Sequence, residues 1–149
     1  MYSRILVATD GSELAEKGLD QALALAKALN ADLTVLTATE PTVMVGTGAG
    51  MAWTSSAEVM DELIRANKEQ ASAILTAAKR KAEAAGIACK TIHVADSYAG
   101  DAIIDTAESQ GQNLIVMASH GRRGLGRLVM GSQASDVLSR SKIPVLIVK

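Results

Sequence analysis

Two short apolar runs near the start of the chain constrain its fold most. Ile5-Leu6-Val7-Ala8 and Leu33-Thr34-Val35-Leu36-Thr37-Ala38 are too short to be helices and lack polar alternation. That pattern suits strands buried on both faces. Thr9-Asp10-Gly11-Ser12 ends the first run, Ser12 suits a helix N-cap, and Glu13 and Glu16 favour the positive end of a helix. Ala15, Leu19, Ala22, Leu23, Ala26 and Leu29 then recur at helical spacing, with Asn30 as the C-terminal stop. Strand, helix and strand in so few residues require a parallel crossover.

The rest of the chain repeats the pattern. Residues 40–57 are irregular, with Pro41, Gly46, Gly48, Gly50 and Trp53-Thr54-Ser55-Ser56. So long a connection reads as a flap near a ligand or as a mobile link, with Trp53 a candidate anchor. Glu58 to Ala85 is expected to be one long helix, with Val59, Leu63, Ala66, Gln70, Ile74, Ala77 and Ala78 on one face and Gly86 after its end. Ala88 to Ala95 reads as a third strand in which His93 alternates with apolar neighbours, as a structural histidine does. Asp96-Ser97-Tyr98 turns into a short helix carrying Ile103, Ile104 and Ala107 inward. Leu114 begins a fourth strand, Ser132 to Ser139 a last helix burying Val137 and Leu138, and Pro144 to Val148 a fifth strand. The expectation is one α/β domain over residues 1–149, a doubly wound parallel sheet with helices on both faces. Such sheets bind ligands at the C-terminal ends of their strands, where the strand order reverses. The first and fourth strands end in Thr9-Asp10 and Ala118-Ser119-His120-Gly121.

The second of those ends carries the chemistry. Leu114-Ile115-Val116-Met117-Ala118 runs into a loop with Gly121, Gly124 and Gly126 and with Arg122, Arg123 and Arg127, and then into Gly131-Ser132. Glycines let a backbone approach a ligand closely, and the first N–H groups of a helix have no internal partner. A strand, a glycine-rich basic loop and a helix start together read as a phosphate site. A Walker A motif does not fit, because Arg127 and Leu128 stand where Lys and Ser or Thr belong. No Gly-x-Ser-x-Gly elbow, zinc-type spacing or cysteine pair is present.

Composition narrows the partners. The 149 residues carry a net charge of −1, which disfavours a nucleic-acid partner held by bulk charge. A single cysteine, Cys89, excludes an internal disulfide and suits a reducing cytoplasm. Met1 leads at once into a strand with no signal-like segment, and no apolar run could span a bilayer. A cytoplasmic protein with no membrane partner is expected.

These strand ends, in this order of elements, resemble the universal stress protein family over the whole chain. Its nucleotide-binding branch has Gly, two residues, Gly, nine residues, then Gly with Ser or Thr. Here the spacing is kept from Ala118 through Gly121 to Gly131-Ser132, with Ala118 replacing the first glycine. The resemblance implies a sheet order 3-2-1-4-5 and a homodimer joined through the C-terminal strand, Val145 to Val148. It implies ATP as ligand, with Mg2+ or Mn2+ as its companion. Asp10 would meet the ribose or the metal. Ala8 and Ala38 would line the adenine pocket, beside Thr9, with Met117 and Ala118 under the nucleoside. His120 and Gly121 would lie along the phosphates, Arg122 or Arg123 would screen their charge, and Gly131, Ser132 and Gln133 would hold the terminal one.

Three functions fit this reading. The first is a regulatory ATP-binding module that alters what it presents to a protein partner. The second is a slow nucleotide hydrolase or phosphotransfer protein, with His120 the one candidate base. The third is a family member without nucleotide, acting only through protein contacts, which Ala118 keeps in play.

Overall fold

The computed structural model describes residues 1–42, 56–122 and 129–149. Five strands and four helices alternate: β1 Arg4–Ala8, α1 Glu13–Leu29, β2 Asp32–Ala38, α2 Ser56–Ala84, β3 Cys89–Val94, α3 Ala99–Ser109, β4 Leu114–Ala118, α4 Ser132–Arg140 and β5 Val145–Val148. All four strand pairings are parallel and the sheet order is β3-β2-β1-β4-β5. This is the expected order, with helices on both faces.

Period-two geometry explains why the strands are apolar throughout. Val7 sits in register between Val35 and Val116, and Leu6 between Thr34 and Ile115. Ile5, Val7, Leu33, Val35, Leu114 and Val116 point to one face, against Leu19, Ala22, Leu75, Ala78 and Ala82 of α1 and α2. Leu6, Leu36, Ile115 and Met117 point to the other, against Ile103, Ile104 and Ala107 of α3 and Ala134 and Val137 of α4. Alternate residues bury on opposite sides, so neither face can be polar.

The caps of α1 follow its sequence. The Ser12 side chain accepts the Ala15 N–H at 3.3 Å, and Asn30 closes the helix in the left-handed region at φ 51°. The helix pairs are also tied on their outer sides. Lys81 of α2 reaches Asp20 and Glu16 of α1 at 2.6 and 3.2 Å, and Arg140 of α4 reaches Asp101 of α3 at 2.8 Å. These pairs are solvated, so each adds little to stability.

Two expectations need correction. The buried stripe of α2 is Ala71, Leu75, Ala78 and Ala82, whereas Val59 and Leu63 are half exposed. Residues 57–70 of α2 include no buried residue, because the apolar spacing there runs past the part of the helix that lies on the sheet. Leu138 is 41% exposed, since two turns of α4 offer only Ala134 and Val137 to the core. The start of α4 is as expected: its N-cap is Gly131, and Ser132 is its first helical residue. Expectations for Trp53, the glycines of the 40–57 stretch, Arg123, Gly124, Gly126 and Arg127 lie outside the described residues. No helix among the described residues is long and apolar enough to cross a membrane.

Candidate functional site

The helices that leave β1 and β4 cover opposite faces of the sheet, so a crevice opens above those strand ends. It is a cleft of about 750 Å3, within the range of small-molecule sites. Its floor is apolar: Ala8, Leu36, Ala38, Met117 and Ala118. Its walls come from α2 (Asn67, Gln70, Ile74) and from the start of α3 (Tyr98, Ala99, Ile103). Thr9, Asp10, His120, Gly121, Arg122, Gly131, Ser132 and Gln133 also line it. Every residue named from the sequence is thus gathered here, apart from Arg123, which is not among the described residues.

Asp10 joins the two strand ends. Its Oδ1 accepts the Ser12 N–H at 2.9 Å, the side-chain turn that starts α1. Its Oδ2 accepts the Arg122 N–H at 2.8 Å, fastening the exit of β4 to the exit of β1. A Cβ on Gly121 would lie 2.6 Å from that same Oδ2, so only glycine fits there. Burial pushes the Asp10 carboxyl up. The hydrogen bonds from Ser12 and Arg122, with the Arg122 charge, outweigh burial and hold it below the usual range. The carboxylate is therefore an anion in neutral solution.

The Arg122 side chain folds back over Gly11, where a Cβ would meet its Nη2 at 3.2 Å. Gly11 also has φ +75°, a second reason for glycine. With its amide oxygen turned toward the guanidinium, Gln70 of α2 accepts from Arg122 Nη2 at 3.2 Å. Asp10, Arg122 and Gln70 thus clasp one side of the cleft, joining β1, the β4 exit and α2.

The start of α4 forms the opposite feature. The Gly131 N–H donates to the Ser119 carbonyl at 2.8 Å, and Ser135 N–H to the Gly131 carbonyl at 3.0 Å. No described residue accepts the N–H groups of Ser132, Gln133 or Ala134. All three residues line the cleft, at the positive end of a helix. A Cβ on Gly131 would point at His120 Cα and the Ser119 carbonyl, at 3.2 and 3.3 Å. Glycine here lets the helix start pack closely on the end of β4. The Gln133 side chain turns to α3 instead, its Oε1 accepting the Gly100 N–H at 2.7 Å. His120 Nδ1 lies 3.1 Å from Ser119 Oγ.

At the β2 end, Thr39 Oγ1 bonds His93 Nε2 at 2.9 Å. His93 is the partnered histidine expected of its strand. Burial and the Lys68 charge hold it below its usual range. Sequence reasoning missed Thr39, Tyr98, Asn67 and Gln70 as cleft residues. One signal existed: Gln70 is a polar residue inside an apolar helical stripe.

This chemistry suits a ligand with an apolar, hydrogen-bonding body and an anionic tail. The model of the universal stress protein family matches residues 1–149. The universal stress protein YxiE of Bacillus subtilis is 35% identical over the full length of both chains. The structure of MJ0577 of Methanocaldococcus jannaschii, also named a universal stress protein, superposes with a TM-score of 0.81 at 30% identity, covering 100% of this chain and 96% of that one. A universal stress protein solved in complex with cAMP gives a TM-score of 0.73 at 28% identity, covering 99% and 97%. With the match unbroken from the first residue to the last, the chain belongs to the universal stress protein family.

Proposed function

We propose that this protein is a regulatory module that binds ATP in the cleft between the ends of β1, β2 and β4. The observation that carries the reading is the set of N–H groups at the start of α4 that no described residue accepts, lining the same cleft as an apolar floor. A helix N-terminus of this kind holds phosphate without a lysine. In this reading Ser132 and Gln133 donate backbone N–H groups to the terminal phosphate, the Ser132 hydroxyl adds a contact, and Gly131 sets their position. His120 and Gly121 run beside the phosphates, with Arg122 and Arg123 as the nearby cations. Ala8, Thr9, Ala38, Met117 and Ala118 hold the nucleoside.

Asp10 is the carboxylate available to a Mg2+ or Mn2+ ion arriving with the nucleotide, since each of its oxygens keeps a lone pair. The described residues contain no group of three or more His, Cys, Asp or Glu able to hold a metal. The phosphates would supply most of its ligands. A module is favoured over a hydrolase by the partners of the two ionisable groups. Asp10 is committed to backbone N–H groups and His120 to Ser119. In this reading both groups hold the strand ends in place, and neither is assigned a catalytic step.

Mass analysis of small molecules released on denaturation, followed by calorimetric titration, tests the reading. ATP should be released and rebound, with negligible phosphate production. Ser132→Ala should weaken ATP about 5- to 30-fold, the scale of one hydrogen bond to a charged group. Adenosine should be unaffected, because Ser132 is not the cap of α4. A protein that releases and binds no adenine nucleotide would sink the proposal, and equal losses for adenosine and ATP would sink the role of Ser132. The cAMP complex of the relative makes cAMP a necessary arm of the titration.

The same reading extends to a homodimer through β5, the strand at one margin of the sheet, where Leu146 is 37% exposed. Pairing two such edges about a two-fold axis would satisfy both. Leu146→Lys should shift sedimentation from dimer to monomer, and a wild type that sediments as a monomer would contradict the proposal.

A further inference from the structure

The opposite margin of the sheet carries a second groove, remote from the α4 start. Among the described residues β3 pairs with β2 alone and is the other edge strand. Between it and α2 lies a groove of about 670 Å3, lined by three cations, Lys68, Lys79 and Arg80, and one carboxylate, Glu83, by Ser72 and Thr76, and by Thr91 and His93 of the strand. Leu75 forms its buried base. The ion pairs seen between helices use Lys81 and Arg140, not Lys68, Lys79 or Arg80. Lys68 acts electrostatically on His93, and Lys79 and Glu83 act on Cys89. The cations therefore flank both ends of β3. On a chain with net charge −1 this is a local concentration of positive charge.

We infer that this groove is a docking site for an extended acidic segment of a partner protein, which adds to the β3 edge as a sixth strand. The edge offers main-chain hydrogen bonds, and the helix wall offers charge. The dimensions agree. Lys68 and Lys79 are about 16 Å apart along the helix axis at 1.5 Å per residue. Same-face residues four apart in an extended segment span about 13 Å, and lysine side chains reach across the difference. Two carboxylates at that spacing would meet both charged ends, with a small residue between them against Ser72 and Thr76. A nucleic-acid strand could meet the cations but not the strand edge, so the edge favours peptide. This inference is independent of the nucleotide reading.

The test uses a fluorescein-labelled peptide repeating glutamate-valine-serine-valine, which sets glutamates four apart with serine between them on one face, with a lysine-for-glutamate control and an oligothymidylate of similar length. The glutamate peptide should bind, weaken with salt and protect amides of residues 89–94 from hydrogen exchange. The lysine peptide should not bind. Lys68→Glu with Lys79→Glu should lower affinity at least about tenfold, as the loss of two solvated pairs and their replacement by repulsion requires. Both positions are exposed, so the melting temperature should hold. Binding without protection of 89–94, tighter binding of oligothymidylate, or no binding would each overturn the inference. In the last case the lysines serve only to keep the edge from pairing.

Discussion

Gly121→Ala is expected to lose most of the ATP affinity and a measurable part of the stability. The added methyl would sit 2.6 Å from Asp10 Oδ2, closer than carbon and oxygen tolerate. Asp10 cannot swing aside freely, because its oxygens hold the Ser12 and Arg122 N–H groups at 2.9 and 2.8 Å. Relief means breaking a hydrogen bond to a charged acceptor, which costs about 1.5–3 kcal/mol. The segment after β4 then leaves its register with β1, and with it the approach to the phosphate end. On that scale ATP affinity should fall roughly 10- to 150-fold. The cause can be isolated by a double-mutant cycle. In an Asp10→Ala background the clash has no partner, so Gly121→Ala should cost little further stability. Urea denaturation of the four proteins reads the cycle, and a wild-type midpoint for Gly121→Ala alone would refute the clasp.

Ile103→Ala should show the largest fall in stability. Ile103 is 1% exposed, packs against Leu36, Met117 and their neighbours in the α3–α4 core, and also lines the cleft. Removing such a side chain costs about 2–5 kcal/mol, less where the surroundings collapse into the gap. In a chain of this size that lowers the melting temperature by roughly 5–20 °C. Its effect on binding should differ from that of Ser132→Ala. A hole beneath the nucleoside weakens adenosine and ATP alike. Differential scanning calorimetry with titration of both ligands would separate the two cases, and an unchanged melting temperature would contradict the packing.

The fold was legible in the sequence because its strands are buried on both faces. A run such as Ile5 to Ala8 or Leu114 to Ala118 has few other uses, and Ser12 and Asn30 mark the ends of α1 by their own chemistry. Helix faces were less legible. In an alanine-rich helix several adjacent stripes look alike, so Ala77 competes with Leu75 and Ala82 until the sheet decides. At α4, preference favours serine over glycine as the cap. Crowding against Ser119 and His120 reverses that choice, and crowding is a tertiary fact. The strand ends announced a site because topology puts them side by side. Thr39, Gln70 and Tyr98 reach the cleft from three other segments, and no spacing in the chain records that meeting. The Asp10–Arg122 link belongs to the same class: it joins residues 112 apart.

The central claim is that the start of α4 holds the terminal phosphate of ATP. Amide proton–nitrogen correlation spectra of the isotope-labelled protein, titrated with ATP and separately with adenosine, address it residue by residue. Ser132, Gln133 and Ala134 amides should move strongly with ATP and little with adenosine, while Ala8, Ala38 and Met117 respond to both. Resonances of Ser132 to Ala134 that stay in place while ATP binds elsewhere, or that move equally with adenosine, would contradict it.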